Sequence, residues 1–510
     1  MAFAVGHAAS EGRAGIVKLA SAEETVAGQS TTTATTPAGV AAAIQSAISG
    51  DNSLLGVNFD GVNATGTRTY GAANKQWSKS TNAVAGTDDF KDHPCFKGYY
   101  ALVKYNSETE QAEIIAKEGT AEYTAIKTAG TEDYDEVRMF HVFWYKKTVQ
   151  ADGKQSIVLS PIPLEGFKPS PMHYRNGVLH EWVGITRYAW GRTGSTTIAA
   201  RAGLYPLTDT NENTFETRAR ARGMRVFGMN ELAALQMLGS VKYAHQNWQT
   251  AIGAGFSGAP TIDRTVTVGQ EDANSVILSN SYAAEFPVGA SIYLGSNNFR
   301  TITANETYSE DSSMVEISFD GDPFTSTTST KVHGGLAING SADAVLGLDG
   351  ENVGMHTTEE RRSVITLGIE NLYGNCWKLL SGIMRKGGFS YINPNPDGQY
   401  EWPTAADDKG WEKGPAIMTT EGYIKRFVPS ADLGEFQYLS IPVELGGSST
   451  APVGDYQYTN NSTDPRMCLA GGNLDLGALV GPFYLTWGSA VPNTGWNDGA
   501  LGVFVPSAEV

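Results

Sequence analysis

The sequence predicts an α+β chain with its weight on β: an N-terminal attachment segment, a β-rich middle domain, and a mixed final region interrupted by an inserted β-domain. Three observations lead there. Only 18% of residues are charged, against ~25% in an average globular chain, and glycine supplies 58 of 510, a balance suited to short strands and turns. The first 55 residues are rich in Ser, Thr, Ala and Gly and carry no aromatic side chain after Phe3. Beyond them, helical periodicity is confined to residues 215–245, between long stretches of strand pattern. At about 150 residues per domain the length implies several parts, and the composition shifts divide it as 1–55, 56–165, 166–259, 260–340 and 341–510.

In chain order, Ser21 with Glu24 forms a capping box and Gly28 a stop, which predicts one short helix. Thr36 followed by Pro37 starts a second, whose Val40, Ile44 and Ile48 make one narrow apolar stripe before Gly50. So narrow a stripe is best buried against copies of itself, hence a parallel homotrimer. From 56 to 165 the runs Tyr99–Tyr105, Ala112–Ala116, Val137–Val149 and Ser156–Leu164 read as strands, with Ala151-Asp152-Gly153 as a hairpin turn. The run through Phe140, Phe143 and Trp144 is dense enough to be buried on both faces. Helices are expected at Phe215–Arg222 and from an Asn230 N-cap towards His245. Short strands follow from Pro260 to about Gly340, and the remainder is loop-rich and aromatic-rich.

The charge balance, 37 basic against 54 acidic residues, gives −17 with no Lys/Arg block, which excludes a phosphate-neutralising nucleic-acid surface. The start carries no basic, apolar leader pattern and no run reaches about 18 apolar residues, so a soluble chain without membrane insertion is expected. Cys95, Cys376 and Cys468 are odd in number and widely spaced, and read as reduced and buried. Gly253-Ala-Gly255-Phe-Ser-Gly258 matches a dinucleotide fingerprint literally, but a helix precedes it and Pro260 follows it, the wrong order for a pyrophosphate cradle. His180-Glu181 lacks the second histidine of a zinc motif, because position 184 is Gly. Arg218, Arg220 and Arg222 read as cations paired with neighbouring acids such as Glu216. With no visible carboxylate pair or metal centre, the reading is non-enzymatic, without cofactor or metal.

The stretch GIVKLASAEETVAGQSTTTATTPAGVAAAI, Gly15–Ile44, resembles the short module of bacteriophage tail-fibre proteins that joins a fibre to the particle. Thr35 stands where that module more often has Val. Four later segments resemble the C-type lectin fold in the form shared by formylglycine-generating enzymes, phage tropism determinants and the variable proteins of diversity-generating retroelements. They are Gly166–Tyr188, Arg218–Gly255 as a long helix pair, Arg362–Ile383 and Cys468–Val505. The most specific is RSVITLGIENLYGNCWKLLSGI, where Gly368, Ile369, Glu370, Asn371, Gly374, Asn375, Trp377, Gly382 and Ile383 match the family pattern. Leu474 and Leu501 depart from the family's usual Trp and Arg. Cys376 and Cys468 do not occupy its copper-binding positions, so no enzymatic activity carries over. Trp496-Asn497-Asp498 equals a calcium motif of animal C-type lectins, but its usual E-P-N or Q-P-D partner is missing.

By position, the resemblance implies a ligand-binding face on the C-terminal hairpin made by Asn473, Asp475, Leu476, Tyr484, Thr486, Ser489 and Asn493. Trp487 joins them if alternation along the strand exposes it. Tyr and Trp supply rigid contact area and Asn, Ser and Thr adaptable hydrogen bonds. The implied function is a phage tail-fibre or receptor-binding protein of the virion, synthesised in the host cytoplasm. It would recognise a bacterial surface glycan or protein and attach to other tail proteins through its N-terminus. The alternative is a structural head or baseplate decoration protein without direct receptor binding.

Overall fold

The computed structural model describes residues 53–506 except 131, 132, 296, 297, 356, 357, 396, 399 and 461. Both expected N-terminal helices, the trimer stripe and the tail-fibre-like stretch lie outside the described residues. The rest is 36% strand and 13% helix, arranged as several half-barrel sheets, which corrects the α+β expectation and the C-type lectin-like fold with it. The expected long helix pair over Arg218–Gly255 is the clearest difference. The helices are α1 (Ala121–Ala129), α2 (Glu212–Arg220), α3 (Met229–Tyr243) and the single-turn α4 (Trp248–Ala251), and strands dominate elsewhere.

Local signals set the helix ends. Asn211 caps α2 by accepting from Thr214 N at 2.9 Å. The N-cap of α3 is Gly228, two residues before the expected Asn230, because Glu231 reaches back to accept from Gly228 N at 2.9 Å. α3 is buried on nearly every side, from Met229 through Tyr243 with Asn230 half-buried. It packs on strands 55–59 and 155–160 from one side of the molecule and on 377–386 and 481–487 from the other. A helix buried on nearly every side lies at the centre of a large core, and its polar members are paired, Lys242 with Asp88 and Asp349 and Gln236 with Pro482 O. Gly239 lets Trp248 close over it, since a Cβ there would stand 2.1 Å from the indole.

Around α3 the sheets interlock. A five-stranded antiparallel sheet runs in the order 67–70, 55–59, 155–160, 144–149, 168–169. A six-stranded one runs 225–226, 502–504, 182–186, 135–141, 98–106, 111–117. The segment around position 165 is therefore no sheet boundary, since 182–186 pairs with 135–141 and with the C-terminal 502–504. The apolar run Val137–Val149 is two strands, 135–141 and 144–149, in different sheets. It breaks at Val142, whose N–H bonds Glu181 O at 2.8 Å; 135–141 is buried on both faces, whereas 144–149 alternates, with Lys146 and Thr148 exposed, so the expected two-sided burial holds for the first strand alone.

Residues 264–334 form a separate six-stranded sheet, order 264–265, 331–334, 291–293, 299–307, 314–319, 275–279, with its own core of Val276, Leu278, Ile292, Ile302 and Ile317. It leans on the remainder through Trp496, whose ring lies 4.0 Å from His333 and 5.4 Å from Tyr293. The last region builds a nine-stranded sheet in which 377–386, 466–471 and 481–487 are central. The Gly368–Asn375 motif serves the turns leading into it. Asn371 and Asn375 have φ of 47° and 61°, their side chains accept from Val364 N and Ala337 N, and Glu370 accepts from Gly340 N and Ala342 N. The backbone's left-handed positions and these bonds account for those residue types without reference to a fold family.

Candidate functional site

The hairpin expected to carry the ligand face is formed by Arg466–Gly471 and Gly481–Trp487, paired Leu469 to Thr486 and Ala470 to Leu485. Strand 481–487 has a neighbour on each edge and both faces covered, and all seven of its residues are buried. Alternation therefore gives no exposed face. Trp487 is fully buried, which corrects its expected exposure, and Tyr484, Thr486 and Asn473 are buried too. Tyr484 packs edge-on to Trp377 at 4.8 Å inside the sheet. Of the expected residues, Asp475 and Asn493 are exposed and Leu476 and Ser489 half-buried. Asp475 is already engaged with the inserted sheet, accepting from Thr261 Oγ1 at 2.8 Å.

All three cysteines are free and buried, and burial raises the thiol pKa of Cys376 and Cys468. Among the described residues no group of three or more His, Cys, Asp and Glu gathers as metal ligands would. Arg222 pairs with Asp135 at 2.5 Å and Asp133 at 3.0 Å, and Arg220 lies 3.6 Å from Glu216.

A broad concavity lies elsewhere, an open groove of about 660 Å³. Strand 144–149 brings Tyr145, strand 168–169 brings Lys168 and Pro169, and the hairpin of 174–175 with 178–179 brings Tyr174 and Asn176. Asn230 of α3, Asn393 and Pro394 after strand 389–392, and Phe436 and Tyr438 close the other side. Its apolar walls are rings and prolines, and Lys168, Arg175, Asn176, Asn230, Asn393, Glu412 and Glu435 add charged and amide groups to the lining.

The floor is rigid for an electrostatic reason. The Arg175 side chain, 3% exposed, contacts Glu231 through Nη1 and Asp397 through Nη2, while its Nε donates to Asp397 at 2.8 Å. Burial pulls its pKa down, but the Glu231 and Asp397 carboxylates outweigh that and hold it above the ordinary value. The same Glu231 caps α3, so helix start, hairpin and the 393–398 loop are tied at one guanidinium. Arg220 and Arg225 fasten that loop further, donating to Gly398 O at 2.6 Å and Asp397 O at 2.8 Å. Burial raises the pKa of the Tyr145 and Tyr438 phenols, which stay neutral. At the rim Lys168 pairs with Glu435 at 2.9 Å.

Sequence reasoning missed this groove because its parts come from six separate stretches. The one local signal was the segment KPSPMHYRNG, Lys168–Gly177, dense in Pro, Tyr and Asn. No known protein-family model matches the chain, and no curated protein is significantly similar to it. No helix among the described residues is long and apolar enough to cross a membrane.

Proposed function

We propose that this protein is a non-catalytic adhesin of a bacteriophage particle, a tail-fibre or receptor-binding protein that holds a bacterial surface receptor in the Tyr174 groove. The observation that carries the reading is the pairing of that groove with the apolar hairpin on its lip. Tyr174, Val178 and Leu179 are 52%, 52% and 45% exposed, on a floor locked by buried ion pairs. Exposed apolar side chains grouped beside a pre-formed groove mark a contact surface. The N-terminal stretch resembling a particle-attachment module supports the phage assignment, and the trimer read from its apolar stripe would multiply weak contacts at the cell surface.

The test is competition. Purified protein should coat susceptible bacteria and block adsorption of the phage that carries it. Protein that leaves adsorption unchanged, together with particles that lose integrity when the gene is deleted, supports the structural decoration role instead.

A further inference from the structure

The last turn of α3 carries Lys242, whose side chain is 2% exposed and ends against two carboxylates from distant parts of the chain. Its Nζ donates to Asp88 Oδ2 at 2.7 Å and stands 2.6 Å from Asp349 Oδ2. Asp349 is as deeply buried, at 2%, whereas Asp88 is 21% exposed and reaches solvent. Apolar groups enclose the nitrogen: the Phe96 ring lies 5.8 Å away, and Leu238, Leu348 and Leu367 line a small cavity together with Lys242.

The two contacts differ in kind. The one to Asp88 is a hydrogen bond, but the closer approach to Asp349 is not, and Asp349 Oδ2 is buried with no hydrogen-bond donor among the described residues. A pair serving charge alone would hydrogen-bond both carboxylates. The other oxygen of Asp349 holds two donors: Oδ1 accepts from the Tyr243 hydroxyl and from Leu367 N, the latter at 2.6 Å. Tyr243 is fixed between Trp77 and Trp248, with ring centroids 4.6 and 4.9 Å away. Burial, then the Asp349 charge, pushes its phenol well above the ordinary value, so it stays a donor. One C–O bond of about 1.2 Å separates Oδ2 from Cγ, which places Nζ within about 3.8 Å of that carbon. A nitrogen beside a carboxyl carbon, two donors on one carboxyl oxygen and a carboxylate base on the nitrogen are the parts of an acyl transfer.

We propose that Lys242 and Asp349 condense into an intramolecular isopeptide bond, with Asp88 as the base. Burial favours two neutral groups over two charges, so a proton passes from the ammonium to the open Oδ2. The amine lone pair attacks Cγ, Oδ1 takes the negative charge between Tyr243 and Leu367 N, and Asp88 accepts a second proton from the nitrogen. As the Oδ1 double bond re-forms, the Cγ–Oδ2 bond breaks and the Oδ2 hydroxyl leaves with the proton from Asp88, as water. One amide and one water result, and no co-reactant is needed. The adjoining cavity, about 10 Å³, is the size of that water. Effective molarities of about 10⁵–10⁸ M for groups held in contact exceed the concentration of bulk water, which offsets the preference for hydrolysis. The bond ties the end of α3 to the turn before strand 350–351, closes a loop around the whole 264–334 sheet, and does not depend on the groove's role.

The test weighs the full chain by denaturing mass spectrometry after incubation of the folded protein near neutral pH. Its mass should fall about 18 Da below that of the sequence, the loss of one water, and tryptic digestion should yield a branched peptide joining Lys242 to Asp349. Asp88→Asn, shown by circular dichroism to fold, should give the full mass and two linear peptides, and Asp88→Glu should restore the branch. Full mass with linear Lys242 and Asp349 peptides from the folded parent overturns the bond, whatever the variants do. A branch that forms equally in Asp88→Asn overturns the role given to Asp88.

Discussion

Glu212 shows how one side chain couples burial to pH. Its carboxyl is held at about 8 against an ordinary 4.5, so the folded protein keeps a proton that the unfolded chain releases between those values. Its contribution to stability is therefore full below about pH 4.5 and is lost as pH rises through 8, and Glu370, also raised to about 8 by burial and Asp343, acts in the same direction. Glu212→Gln copies the protonated form, with an oxygen for Trp402 and an amide for Tyr400. Denaturant unfolding should show it more stable than the parent by about 4 kcal/mol at pH 8 and level with it at pH 4.5. At Trp487 the expectation is different: it is a core residue, so Trp487→Ala should cost about 3–5 kcal/mol. A stable Trp487→Ala protein with weakened cell binding would restore the exposed reading that the structure corrects.

At the scale of elements, the buried Arg175 cluster is the joint. Glu231 caps α3 and pairs with Arg175, which in turn holds Asp397. Removing one member of a buried pair leaves the other charge uncompensated, so Glu231→Ala should lower stability by about 3–5 kcal/mol. Asp397→Asn should keep the fold and loosen the hairpin and the 393–398 loop together, seen as faster amide exchange across 174–179. Unchanged exchange there would mean that the loop is held by Arg220 and Arg225 alone. This level is also where the sequence was most and least informative. The Ala151-Asp152-Gly153 turn, the strands 98–106 and 111–117 and the presence of α3 were legible, because each follows from local periodicity or turn chemistry. The exposure of strand 481–487 was not, because alternation assumes one wet face and this strand lies inside a sheet covered on both. Gly368–Asn375 was legible as a specific motif but misleading as a fold marker, since its Asn and Gly answer to left-handed backbone and to local bonds. The groove was illegible, because tertiary packing alone brings Tyr145, Tyr174 and Tyr438 together.

For the whole molecule, a net charge of −17 bears on the proposed adhesion, since bacterial surfaces are themselves negatively charged. Under that proposal long-range attraction would not drive the encounter, and adhesion would rest on short-range contact and on multiple copies. Raising NaCl from about 50 to 200 mM shortens the reach of charge and should leave cell binding unchanged or stronger. A tenfold loss would instead point to a local basic contact. The measurement that tests the account most directly compares binding to susceptible cells by the parent, by Tyr174→Ala with Asn176→Ala, and by Asp475→Ala with Asn493→Ala, each checked for an unchanged Tm. All four positions lie on the surface hairpin or in surface loops. The groove account expects the Tyr174 and Asn176 pair to lose binding tenfold or more while the Asp475 and Asn493 pair retains it. Retention by the first pair and loss by the second would contradict it and return the receptor to the C-terminal loops.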